Sequence, residues 1–130
     1  MVRTIVKRSR HGMGLYANSA IAHHRLIRDR TIVVKFKGKR MTRKKWETYY
    51  IEKGIPHDSS FIFFNYVLYD PKFTKKHIPK WYRINHSYNP NVRIQKKGTD
   101  VEWITLRDIK KGEELRFHYG RPDPKWSKTI

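Results

Sequence analysis

The segment Arg83-Ile84-Asn85-His86-Ser87-Tyr88-Asn89-Pro90-Asn91 constrains this chain more than any other. It follows directly on Trp81-Tyr82, so a run of Asn, His and Ser sits beside large aromatic side chains. Such polar groups cost free energy on burial unless each finds a hydrogen-bond partner. A fold that takes up this stretch must bring polar atoms to it from elsewhere or hold a ligand there. Pro90 and the asparagines predict an irregular, hydrogen-bonded turn rather than a helix. The segment is best read together with Gly112-Glu113-Glu114-Leu115-Arg116-Phe117-His118-Tyr119-Gly120 downstream.

Around these two segments the chain reads as many short strands. Val2-Arg3-Thr4-Ile5-Val6-Lys7 alternates apolar and polar residues and predicts a first strand. Residues 8–14, with Ser9, His11, Gly12 and Gly14, predict a donor-rich loop leading into a short strand, Leu15-Tyr16-Ala17. Two glycines one residue apart permit close approach of a ligand to the main chain. Taken alone, they are better explained by a plain hairpin turn. Thr31-Ile32-Val33-Val34-Lys35-Phe36 is rich in β-branched residues and predicts a strand. Thr42 is a candidate N-cap for a helix over 43–53, with Trp46, Tyr49, Tyr50 and Lys53 at helical spacing and Gly54 and Pro56 as the stop. Residues 61–69 are the most apolar run and predict a buried strand or a hairpin arm. Residues 92–95 and 101–106 predict a hairpin across Lys96-Lys97-Gly98-Thr99-Asp100, and 114–119 a last strand. Beyond Gly120 the tail has Trp126 as its one anchor.

The chain has 130 residues, enough for one domain with a single core. Aromatic residues make up 14% and hydrophobic residues 38%, too many for a disordered tail. The absence of cysteine excludes disulfides, thiolate zinc sites and a thiol nucleophile, and no metal site is expected. No apolar run approaches the roughly 20 residues that span a bilayer, and the N-terminus has no signal-peptide pattern. A soluble intracellular protein without membrane contact is the expectation. The formal charge is +19, with the basic residues spread through the chain. A folded surface of that sign favours nucleic acid or another polyanion. From composition alone, a basic nucleic-acid-binding β-domain would be the first reading.

The motifs change that order. Gly12-Met13-Gly14-Leu15-Tyr16-Ala17, then Arg83-Ile84-Asn85-His86-Ser87 closed by Asn89-Pro90-Asn91, then Gly112-Glu113-Glu114-Leu115 ending in Tyr119, resemble the three motifs of the SET domain in the family's order. The resemblance runs from about Arg3 to Tyr119. It implies a mostly β fold with short helices, the SET-domain β-clip with a knot-like C-terminal threading, over residues 1–120. Residues 121–130 would be a tail that closes the lysine channel. It also implies a lysine methyltransferase that uses S-adenosylmethionine. In size the chain is similar to the stand-alone SET proteins of large DNA viruses.

Carried over residue by residue, the resemblance implies that Gly12, Met13, Gly14 and Leu15 approach the cofactor through their backbone. Asn85 and His86 would hold its ammonium and adenine, and Tyr119 would lie beside the transferred methyl. The family supplies a further tyrosine from the middle of the chain. Tyr66 is the first candidate and Tyr69 the second, with core packing the plainer reading of each. Phe117, two residues before Tyr119, stands where some members control the number of methyl groups, and resembles the di- or trimethylating type. Trp126 is a candidate for closing the substrate channel. Tyr88 stands where the family has Cys, and His118 where it commonly has Asp or Asn.

The implied substrate is a histone or another basic chromatin-associated protein, which implies the nucleus, or a host nucleus. A second reading stays open, a SET-like protein without activity that binds nucleic acid or chromatin. A homodimer is one option for the assembly. Because the domain and such a substrate share a sign of charge, they should repel at short range except where acidic groups such as Asp58, Asp70, Asp100 or Glu102 line the approach, a difficulty that a substrate bound to DNA or another polyanion removes.

Overall fold

Residues 3–10, 12–23 and 31–118 are described by the structure, a computed structural model. Thr4–Ser9 (β1) and Gly12–Ala17 (β2) form an antiparallel hairpin in which Ser9 lies opposite Gly12. Arg8, Ser9 and Gly12 to Gly14 therefore lie in paired strands rather than in an open loop, as the hairpin reading of the glycines expected. Gly12 and Gly14 lie inside β2, and Gly12 has a φ of +110°, which only glycine adopts at little cost.

Ile32–Lys37 (β3) starts the principal sheet. Lys39–Met41 (β4) leads to a helix, Arg43–Lys53 (α1), whose ends are those the sequence expected. The Thr42 hydroxyl accepts from Lys45 N–H at 3.1 Å, and Gly54 closes the helix at a φ of 68°. Trp46 is its one buried residue, and Tyr49, Tyr50 and Tyr69 pack around it with ring centroids at 5.7, 5.7 and 5.9 Å.

The apolar run over 61–69 is not one strand but both arms of a hairpin, Ser60–Ile62 (β5) and Val67–Tyr69 (β6). Phe63 N–H donates to Tyr66 C=O at 2.8 Å, which puts Phe64 and the turn-forming Asn65 at the tip. β6 lies between β4 and β5 in a small antiparallel sheet.

A 3-10 turn over Lys80–Arg83 seats Trp81 in the core, stacked on Trp103 at 5.4 Å and on Phe36 at 4.9 Å. The Trp81 indole N–H donates to the buried Asp70 carboxylate at 2.9 Å, which also accepts from Lys72 N–H at 2.9 Å. Val92–Lys97 (β8) and Asp100–Thr105 (β9) form the expected hairpin around Gly98, and β9 is the centre of the sheet β3-β9-β8. Glu102 is buried in β9 and accepts from Gln95 at 2.7 Å. Asp70 and Glu102 therefore do not line an approach for substrate. Their carboxylates are spent on satisfying donors inside the fold.

Asn85–His86 (β7) and Arg116–Phe117 (β10) pair in parallel, Asn85 opposite Arg116 and His86 opposite Phe117. The last strand is thus shorter than the 114–119 expected. Ahead of β10, the chain runs along β2 with Gly112 N–H to Ala17 C=O, Ala17 N–H to Glu113 C=O and Leu115 N–H to Leu15 C=O, at 2.8, 2.8 and 2.7 Å. Two segments far apart in sequence are held side by side with the glycine strand against them.

Candidate functional site

Asn85 stands where these three segments meet. Its amide nitrogen donates to Glu114 Oε2 at 2.7 Å and to Met13 C=O at 3.2 Å, with Ser9 Oγ at 3.4 Å. A carboxylate and a carbonyl can only accept, so the NH2 end of the amide must face them. Asn85 Oδ1 is consequently turned to the other side, as an acceptor.

Glu114 holds that orientation. Its side chain is 8% exposed, and its second oxygen accepts from Arg116 Nε at 3.2 Å and from an Arg116 terminal nitrogen at 2.8 Å. Gly14 is required by the same pair. A Cβ there would lie 2.6 Å from Glu114 Oε2 and 3.3 Å from Asn85 Nδ2. At Gly12, in contrast, a Cβ would meet nothing within 4 Å among the described residues.

Asn91 fastens the end of the polar segment. It is buried, donates from its amide to Glu114 C=O at 2.9 Å and accepts Arg116 N–H at 2.9 Å, while its own N–H donates to Arg116 C=O at 3.0 Å. Ser87 N–H donates to Phe117 C=O at 3.0 Å. Nearby, Glu113 accepts a two-point contact from Arg107 at 2.8 and 3.2 Å and a bond from Lys110 N–H at 2.8 Å. First the Arg107 guanidinium and then that N–H hold the Glu113 carboxyl down at about 2, and Arg107 is raised in turn by the same bond.

The two departures from the family's motifs face each other. The His86, Tyr88 and His118 rings form a three-membered cluster with centroids 4.7 Å (His86 to Tyr88), 4.8 Å (His86 to His118) and 5.2 Å (Tyr88 to His118) apart, all at steep angles. Tyr88 is 85% exposed and forms the outer wall.

Of the residues expected at the site, Gly12, Met13, Gly14, Asn85 and His86 are brought together. Leu15 contributes backbone only, because its side chain is in the core. Phe117 is buried, its ring edge-on to Trp103 at 6.0 Å. Tyr66 stacks on Phe63 at 4.9 Å beneath the Arg40 guanidinium, and Tyr69 packs on Trp46 and Tyr49. Among the described residues neither tyrosine joins the Asn85 cluster through a hydrogen bond or ring contact. Tyr119 and Trp126 lie outside the described residues. Sequence reading missed the pairing of Glu114 with Asn85 and the clamp made by Asn91. Their signals were the second Glu of Gly112-Glu113-Glu114-Leu115 and the Asn after Pro90.

The sequence profile of the SET domain matches residues 12–120. The chain belongs to the SET-domain family. That family is one of methyltransferases. Among solved structures, this SET domain is similar to a Plasmodium falciparum protein assigned as a histone methyltransferase, at 18% identity and a TM-score of 0.62, covering 93% of this chain and 96% of that one. It is also similar to Polycomb Repressive Complex 2 of Chaetomium thermophilum in an autoinhibited conformation bound to S-adenosylmethionine, at 18% identity and a TM-score of 0.65. The match covers 98% of this chain but only 16% of that one. An apo form of that complex gives 17% identity and a TM-score of 0.66. Among curated proteins none matches by sequence. At these identities the likeness speaks for the fold, which is the mostly β SET-domain fold, with one short α-helix among the described residues.

Proposed function

We propose that this SET domain transfers a methyl group from S-adenosylmethionine to a lysine of a protein substrate. The observation that carries the reading is Asn85, whose amide donors are turned to Glu114 and the main chain of β2, so that its oxygen is left as an acceptor on the opposite side. The donor set fits the cofactor: an acceptor for its ammonium at Asn85 Oδ1, main chain at Gly12 and Met13, and the His86 ring for its adenine. When bound, S-adenosylmethionine supplies an electrophilic methyl on a sulfonium.

The residues of the chain would do the rest. A lysine amine reacts only when neutral, whereas its ordinary pKa is near 10.4. An apolar wall lowers it by stripping water from the ammonium. Phe117, whose ring meets the buried Trp103 edge-on, would supply such a wall. Tyr119 would orient the amine through its hydroxyl, a role that rests on the family pattern, and alignment of the reacting atoms would supply most of the acceleration. A Phe at position 117 brings no hydroxyl to hold a water, which favours more than one methyl per lysine. A histone or another basic chromatin protein is the substrate proposed, and hence a nuclear site of action.

The test is incubation with methyl-labelled cofactor and a panel of histones, nucleosomes and total basic proteins, with the labelled residue identified by mass spectrometry. Label on lysine, lost in Tyr119→Phe while cofactor binding persists, is expected. Cofactor bound without any transfer would favour the inactive SET-like reading instead. Strictly monomethylated product would contradict the role given to Phe117.

A further inference from the structure

Away from the cofactor site, the tip of the β5–β6 hairpin combines features that the methyl-transfer reading does not use. Phe64 occupies the middle of the turn, is 80% exposed and makes no ring contact among the described residues. Turn centres ordinarily carry Gly, Asn or Asp, so a phenyl ring held in water there is unexplained by the turn itself. Ile62, also exposed, lies two residues before it. Behind the tip, Phe63 and Tyr66 stack at 4.9 Å with an interplanar angle of 18°. A cation sits by each ring, Arg40 at 4.6 Å from the Tyr66 centroid and Lys96 at 6.0 Å from that of Phe63. Arg43 reaches the Phe64 carbonyl at 3.5 Å.

These three cations have no ion pair among the described residues. Six of the acids are engaged elsewhere: Asp58 with Tyr82, Asp70 with Trp81, Asp108 with His23 N–H, Glu102 with Gln95, Glu113 with Arg107 and Glu114 with Arg116. At this tip three basic side chains lie beside Tyr66, Phe63 and the Phe64 carbonyl, behind an exposed aromatic ring. A guanidinium lying over an aromatic ring keeps its N–H donors free in its own plane, where they can meet phosphate oxygens.

We propose that the β5–β6 tip docks single-stranded nucleic acid, with a base stacked on Phe64 and the backbone phosphates met by Arg40, Arg43 and Lys96. Exposed aromatics set in a positive surface are the chemistry by which unpaired bases are held without regard to sequence. A duplex keeps its base faces covered, and an acidic peptide offers charge but no planar face for Phe64. The proposal is independent of the methyl-transfer reading, since none of these residues lies in the cofactor site.

Fluorescence anisotropy with a fluorescein-labelled oligothymidylate, its duplex with oligodeoxyadenylate and polyglutamate as competitor tests it, with circular dichroism of each variant as the control for folding. The single strand is expected to bind more tightly than the duplex and to resist polyglutamate. Phe64→Ala should weaken single-strand binding about five- to a hundredfold, the worth of one stacked base. Arg43→Gln and Lys96→Gln should each reduce the slope of log affinity against log salt by about 0.7. Unchanged binding by Phe64→Ala, equal affinity for the duplex, or displacement by polyglutamate at equal charge would overturn the proposal.

Discussion

Gly14 and Glu114 act as a pair of constraints on one amide. The glycine leaves the space that the carboxylate fills, and the carboxylate turns Asn85 so that its oxygen is presented as an acceptor. Gly14→Ala should destabilise the protein by about 1–3 kcal/mol, the usual cost of overfilling a packed site, as read by urea unfolding. Glu114→Ala should weaken S-adenosylmethionine binding about tenfold, because the Asn85 amide then loses its charged anchor, a bond worth about 1.5 kcal/mol or more. Calorimetry checks it. Tyr88 belongs to the same scale. It is nearly all exposed, so Tyr88→Ala should shift stability by no more than about 0.5 kcal/mol. The loss of its contact with His86 should still weaken cofactor binding by about a factor of five.

At the scale of elements, local signals and non-local ones behaved differently. The helix over 43–53 was legible because its cap, its aromatic spacing and its stop are all written within a dozen residues, and the 92–105 hairpin because strands and turn are contiguous. The parallel pair of β7 and β10 was not, since each strand has two residues and its partner lies some thirty positions away. The polar demand of Asn85 and Asn91 was plain in the sequence; which atoms would meet it was not. Tyr66 and Tyr69 were ambiguous for a related reason, because aromatic residues serve a core and a channel equally well. The turn between Arg107 and Glu113 carries its own prediction. A carboxyl held at about 2 stabilises the fold above its ordinary range, and that contribution is lost as pH falls from about 5 towards 2. Since the pair is open to solvent, the effect is on the order of 1 kcal/mol, and Glu113→Gln should flatten the dependence of the unfolding midpoint on pH in that window.

For the molecule as a whole, charge and chemistry have to be reconciled. A domain of +19 repels a free basic peptide, and the buried positions of Asp70 and Glu102 remove two of the acids that could soften the encounter. Protein carried on nucleic acid avoids that repulsion, so transfer to nucleosomal substrate should exceed transfer to free histone at low salt and fall steeply as salt rises, in a rate assay over both substrates. Equal rates at every salt concentration would contradict this. The central claim is narrower: the polar segment that follows Trp81-Tyr82 is one half of a cofactor site closed by the glycine strand and Glu114. Titration calorimetry of S-adenosylmethionine into the protein and into Asn85→Ala, both shown to be folded by circular dichroism, tests it most directly. One bound cofactor per chain, with affinity at least about tenfold lower in the variant, is the predicted result. No binding to the unaltered chain, or equal affinity in the two, would contradict it.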